Sequence, residues 1–217
     1  MKKHIVCFGD SNTHGYCGDP ADTADGGDRF NEDERYTCLL QKKLGPEYLV
    51  IEEGLGGRTS VFEDPLMEGM SALPYVTPML MSHEPVDLLV IMLGTNDTKE
   101  RFGCNAACIG VGMGRLLKKA KDTVCWRDGV PKILLVCPPA IREEMPEGPF
   151  GGIMGDGCVE KSRELPPFME QAAAENGALF LNAAECEFND VDYMHLTRRG
   201  HSQLADLLFS VITSASI

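Results

Sequence analysis

Five short runs of aliphatic and β-branched residues recur along the chain: HIVCF at 4–8, YLVIEE at 48–53, DLLVIML at 87–93, KILLVCP at 132–138 and ALFLNA at 178–183. Between them, apolar residues fall at three- and four-residue intervals, which predicts helices near 33–44, 72–83, 106–125, 159–176 and 198–214. The last is the plainest, with Leu204, Leu207, Leu208, Val211 and Ile212 on one face. Strands that are apolar along their whole length are buried on both faces, and a helix-length crossover after each one joins parallel neighbours. The pattern therefore predicts an α/β fold: a three-layer α/β/α sandwich around a parallel sheet of about five strands. No repeat and no Pro/Gly-rich linker interrupts the alternation, so residues 1–217 are expected to form a single domain.

In such a sheet, ligands bind past the C-terminal ends of the strands, where the strand order reverses. Those ends read GDSNTHG after the first strand, EEGLGGRTS after the second and LGTNDTKERF after the third. The fourth gives PPAIREEMPEGPFGGIMGDG at 138–157, and NDVDYMHLTRRGH follows the fifth. A loop as long as 138–157 usually serves as a lid or a wall of a site. In the commonest doubly wound order, 2-1-3-4-5, strands one and three are neighbours at the reversal point. The segments around Ser11 and Asn96 then face each other across that crevice, with Gly57 on the other side of Ser11.

Composition narrows the class. With 43% hydrophobic and 24% charged residues the chain is ordinary for a globular protein. No apolar run approaches the roughly 20 residues of a membrane span. The apolar segment after Lys3 is too short for a secretory signal and is interrupted by Asp10, which predicts a cytoplasmic protein. Twenty basic against 33 acidic residues give a net charge of −13, a field that repels nucleic acid and anionic membranes. The nine cysteines include no CxxC pair, and Cys7 and Cys137 sit inside apolar runs. Reduced structural thiols are the expectation.

Taken alone, the serine in GDSN is as readily a turn former as a nucleophile. A nucleophilic serine needs a base, and the base needs a partner to fix its tautomer. Of the five histidines, His4 begins a strand, His83 ends a helix, His14 lies in Ser11's own turn and His201 falls inside the last helix. His195 follows Asp192 by three residues, just before a helix capped by Thr197, and that spacing can place a carboxylate under the imidazole. Gly57 could offer an unobstructed backbone N–H to an oxyanion and Asn96 its side-chain N–H₂; equally, they could be a turn glycine and an Asx-turn or cap residue. A phosphate-binding module is the reading from another class, but GDSNTHG matches neither Gly-rich phosphate loop. A metal reading of Asp192, His195 and His201 lacks a supporting ligand cluster.

FGDSNTHG, GLGGRTS, LGTNDTK and DYMHLTRRGH stand in this order from residue 8 to residue 201. Together they resemble the four blocks of the SGNH (GDSL) hydrolases, a family named for its Ser, Gly, Asn and His. VIEEGLGGRTS and VIMLGTNDTK make the chain most similar to the bacterial arylesterase/acyltransferase branch. The resemblance implies Ser11 as nucleophile, Asp192 and His195 completing a triad, and an oxyanion hole of Ser11, Gly57 and Asn96. It also implies an esterase for small carboxylic esters that uses no metal or other cofactor. Some members pass the acyl group to alcohols, and some form closed homo-oligomers. The paired glycines at 56–57 and the 138–157 loop depart from that branch. Val61, Phe62 and Phe102, with Met145, Phe150, Ile153 and Met154 of the long loop, are the expected walls of the site. So many apolar side chains on one loop predict an exposed patch facing a neighbouring subunit. A carbohydrate O-acetyl esterase is the alternative within the family. The chain's one tryptophan, Trp126, lies outside the proposed site loops, which argues against a sugar platform.

Overall fold

Each of the five apolar runs is a strand in the computed structural model, which describes residues 1–215. The strands are β1 (Lys3–Gly9), β2 (Tyr48–Gly54), β3 (Leu88–Met92), β4 (Ile133–Cys137) and β5 (Leu179–Asn182). They pair in parallel in the order β2-β1-β3-β4-β5, with Ile5 opposite both Val50 and Leu88. The reversal of strand order therefore lies between β1 and β3.

The period-two alternation of the strands sorts their side chains between two cores. Val6, Phe8, Leu89, Ile91 and Leu135 face α3 (Ala72–Ser82), α4 (Ala106–Lys121) and α6 (Cys158–Asn176). Ile5, Cys7, Leu88, Val90 and Leu134 face α2 (Tyr36–Leu44) and α7 (Arg198–Ser214). On α7, Leu204, Leu208 and Ile212 are fully buried, and Leu207 and Val211 flank them. Thr197 caps this helix by accepting the Gly200 N–H at 2.9 Å. Among the described residues, no helix is long and apolar enough to cross a membrane.

The structure moves some boundaries. The helix expected at 33–44 begins at Tyr36, because an Asx turn occupies the preceding residues: Asn31 Oδ1 accepts the Asp33 N–H, and the Asn31 carbonyl accepts those of Glu34 and Arg35. The helix expected at 106–125 stops at Lys121, where Thr123 returns its hydroxyl to the Lys119 carbonyl and its N–H to Ala120. Two single-turn helices escaped the periodicity, α1 (Ser11–His14) and α5 (Gly151–Met154), because four residues carry no readable period.

The 138–157 loop also differs from expectation. It folds on itself, and Met145 and Met154 are buried with Ile141, Cys158, Val159 and Met194 in a small separate core. Of the expected exposed patch, Ile153 remains, at 54% exposure.

Candidate active site

Strand β1 delivers Ser11 to the first position of α1. Asp10 caps that helix, its carboxylate accepting the Asn12 N–H at 3.0 Å. The Ser11 N–H thus lies among the unpaired donors of a helix start, at the strand end next to the reversal point between β1 and β3. Across it, the loop after β5 brings His195 Nε2 to 2.8 Å from Ser11 Oγ, and His195 Nδ1 to 2.8 Å from Asp192 Oδ2. The three side chains form one hydrogen-bonded line.

The loop after β5 is rigid for local reasons. Asn189 Oδ1 accepts the N–H groups of Val191 and Asp192 at 2.8 Å, while its amide donates to Asp192 Oδ1 and to the His195 carbonyl. Asp192 Oδ1 also accepts the N–H groups of Met194 and His195. Tyr193 takes a left-handed φ of 65° to close this turn, a conformation that costs a bulky residue roughly 1–2 kcal/mol. Net hydrogen bonds of about 1 kcal/mol each can hold it there. Burial raises the Asp192 carboxyl, but the hydrogen bond and charge of His195, with the Met194 N–H and the Asn189 amide, outweigh that and hold it below the usual carboxylate range. A Cβ at Gly18 would sit 2.0 Å from Asp192 Oδ2, so only glycine lets the chain close over the back of the acid. Asn12 joins this loop to α1, its Oδ1 accepting the Leu196 N–H at 2.9 Å.

On the other flank, Gly57 turns at φ +85°, in the left-handed region that favours glycine. Asn96 opens the turn after β3, its Nδ2 within 3.5 Å of Asp10 Oδ2. Asp97 fixes the two segments to each other: its carboxylate accepts the Ser60 N–H at 2.9 Å and the Ser60 hydroxyl. Burial pushes Asp97 up to about 6 in spite of those donors. Arg58 ties the ends of β1 and β2, donating to the carbonyls of Gly9 and Glu53 with its guanidinium 4.4 Å above the Phe8 ring.

These groups line a pocket of about 340 Å³. Ser11, Gly56, Gly57, Asn96 and His195 form its floor. Tyr16, Met67, Lys99, Phe150, Ile153, Met154 and Met194 form its walls. The Tyr16 ring meets the His195 imidazole edge-on at 4.6 Å, and Phe150 meets it at 5.8 Å.

Of the expected walls, Phe150, Ile153 and Met154 stand in the pocket and four do not. Val61 fills a notch on α4, where a Cβ on Gly112 would come within 2.7 Å of its methyl. Phe62 and Phe102 stack on each other at 5.3 Å, and Phe62 packs onto the main core. Met145 is fully buried in the loop's own core. Nor does His201 face the site. Its ring lies between Phe30 and Tyr36, its Nδ1 accepts the Tyr36 N–H, and burial pushes it down to about 3. Trp126 is buried at a bridge with Val86, outside this pocket.

Sequence reasoning missed Tyr16, Gly18, Met67, Lys99, Asn189 and Met194. Asn189 alone carried a local signal, because an Asx residue before D-x-x-H is a turn former. Tyr16 and Met194 stand close in sequence to Ser11 and His195 but show no local sign of facing the pocket, and Gly18, Met67 and Lys99 are set at the site by tertiary contacts.

A parallel five-stranded sheet with a serine, a histidine and a carboxylate converging at its reversal point defines a class, the α/β hydrolytic enzymes. Within it, residues 7–203 match the GDSL-like lipase/acylhydrolase family, and the chain belongs to that family: it is an esterase of the SGNH type. The aryl esterase of M. smegmatis is 33% identical over 98% of this chain and 99% of its own, with a TM-score of 0.86. A carbohydrate acetylesterase from Sinorhizobium meliloti is 32% identical over 99% of this chain and all of its own, also at 0.86. A lipolytic G-D-S-L protein from Veillonella parvula, at 16% identity over 97% of this chain and 98% of its own, shares the fold with a TM-score of 0.67. Comparison with curated protein sequences gives no match.

Proposed function

We propose that residues 1–217 work as one catalytic unit that cleaves small carboxylic esters through an acyl-enzyme on Ser11. The observation that carries this reading is the 2.8 Å contact of Ser11 Oγ with His195 Nε2, continued at 2.8 Å to Asp192, at the base of a small and largely apolar pocket. His195 Nε2 takes the hydroxyl proton as Oγ attacks the ester carbonyl, and Asp192 stabilises the imidazolium through Nδ1. The Ser11 and Gly57 N–H groups and the Asn96 amide receive the oxyanion. His195 then returns its proton to the leaving alcohol, and water or a second alcohol attacks the acyl group with the same base. No step requires a metal or organic cofactor.

The apolar walls and the size of the pocket favour short acyl groups on alkyl or aryl alcohols. An O-acetyl sugar is the second reading, supported by the S. meliloti neighbour. Labelling by a fluorophosphonate at Ser11, with hydrolysis rates for p-nitrophenyl esters of increasing chain length beside an acetylated sugar, tests both. No adduct on Ser11 overturns the mechanism, and a higher kcat/KM on the sugar favours the alternative.

Ile153 and Met67 line the pocket and are half exposed, and Leu66, next to Met67 in the chain, is largely exposed. They support a homo-oligomer in which a second copy narrows the entrance and favours alcohols over water. Light scattering, with the ratio of alkyl acetate to acetate in an alcohol-containing assay, checks this. The charge of −13 supports an enzyme that binds neither nucleic acid nor anionic membranes.

A further inference from the structure

Asp64 is a fully buried carboxylate outside the catalytic line, and three cationic contacts converge on it. Lys99 Nζ lies 3.2 Å from Oδ2, and Arg101 grips both oxygens, Nε at 3.0 Å and Nη2 at 2.7 Å. Asp64 also shapes its own loop. Its Oδ1 accepts the Leu66 N–H and its carbonyl the Met67 N–H, which sets Met67 in the pocket wall.

One nitrogen of Arg101 stands outside the ion pair. Nη1 reaches 2.6 Å to the carbonyl of Ile153, on α5 and in another wall of the pocket. The neighbouring residue repeats the connection: Glu100 Oε2 accepts the Asp156 N–H at 3.2 Å, just past the end of α5. A guanidinium can serve two sites at once because its donors are fixed in a planar fork, whereas a lysine amine is a single point. Arg101 itself does not line the pocket.

We infer that Arg101 is a positioning residue that fixes acyl-chain selectivity by clasping two pocket walls, the Met67 loop through Asp64 and α5 through the Ile153 carbonyl. With the clasp closed, Ile153 and Met154 cannot retreat and the pocket stays small. Released from it, α5 keeps its own short turn, its buried methionine and the Glu100 contact past its end, and loses the tie at Ile153 itself. The wall then yields to longer acyl groups while the floor stays as it was. This inference rests on the esterase reading of the site.

The test uses R101K and R101M in the full chain. R101K keeps a cation beside Asp64 but cannot span to Ile153; R101M removes both contacts. Three quantities are measured: Tm, hydrogen exchange of the 151–155 amides, and kcat/KM for p-nitrophenyl hexanoate relative to acetate. Both variants should raise that ratio by about tenfold, the low end of what one methylene is worth in an apolar pocket. The change should come from KM, and both should exchange the 151–155 amides faster. R101K should keep a Tm near wild type while R101M loses several degrees. A ratio and exchange rate unchanged in R101K overturn the inference, since a purely structural role would be rescued by the retained charge. A wild-type protein inert to esters and to a fluorophosphonate overturns the esterase reading and the selectivity claim with it, whereas an active wild type with unchanged variants overturns the clasp alone.

Discussion

The floor and the roof of the pocket are built on different principles. The floor stands on strand ends: Ser11 follows β1, Gly57 follows β2, Asn96 follows β3, and Asp97 and Arg58 lock these ends to one another. Arg58 bonds its own strand end and the adjacent one, and Asp97 bonds Ser60 in the segment after β2. The roof is a self-packed loop, apolar within, with Phe150, Ile153 and Met154 lining the pocket and Met145 buried behind them. Parallel strands fix positions to within a fraction of an ångström, as proton transfer demands. A loop with its own small core can change length and side chains without disturbing the sheet. In the proposed mechanism, chemistry falls to the floor and selectivity to the roof.

The largest expected effect lies on the floor. Ser11→Ala should leave a folded protein and lower kcat by at least about a hundredfold, because an activated nucleophile has no substitute. Purified variant with more than about a hundredth of wild-type kcat would break the comparison at its base. Asn96→Ala comes next. It should cost about 10²–10³ in kcat with little change in KM, since the oxyanion charge exists only in the transition state. A change confined to KM would move Asn96 from the chemistry to substrate positioning.

On the roof, Phe150→Ala should alter KM and chain-length preference within about tenfold and leave kcat for acetate within about threefold. A loss of kcat comparable to that of the asparagine variant would erase the division of labour, and would point to the contact of Phe150 with the His195 ring as its cause.

The last effect concerns stability behind the floor and leaves the chemistry untouched. Burial holds His201 at about 3, against about 6.5 in an unfolded chain. Between those values the unfolded state binds a proton that the folded state refuses, so stability falls as pH drops below about 6.5, by up to about 1.4 kcal/mol per pH unit. Asp97, pushed up to about 6, acts in the opposite direction. From about 3.9 to 6 the folded state keeps a proton that the unfolded chain has lost, and stability declines as pH rises. His201→Asn removes the first contribution and leaves the second. Urea midpoints of variant and wild type, measured from pH 7 to pH 4, should therefore converge as the pH falls. Parallel curves would show that His201 is not held neutral.

The sequence by itself determined the sheet and the floor. Buried strands need continuous apolar runs, and a site at strand ends needs glycines and short polar residues within a few positions of each run, so β1 with Ser11 and β3 with Asn96 are local patterns. Asp192 and His195 were legible for the same reason, three residues apart in one turn. Of the roof the sequence showed the 138–157 loop and, within it, Phe150, Ile153 and Met154, but which apolar side chains line the pocket was decided by tertiary structure. Nothing local distinguishes Val61, which sinks into the notch at Gly112, from Met67, which lines the pocket six residues later. Nothing in the 138–157 composition says that Met145 and Met154 bury each other's surroundings while Ile153 stays half exposed. Apolar side chains choose their partners by shape and available volume, which depend on chain segments far away, whereas strand-end polar groups are bound by hydrogen bonds to neighbours in sequence or across one register of the sheet.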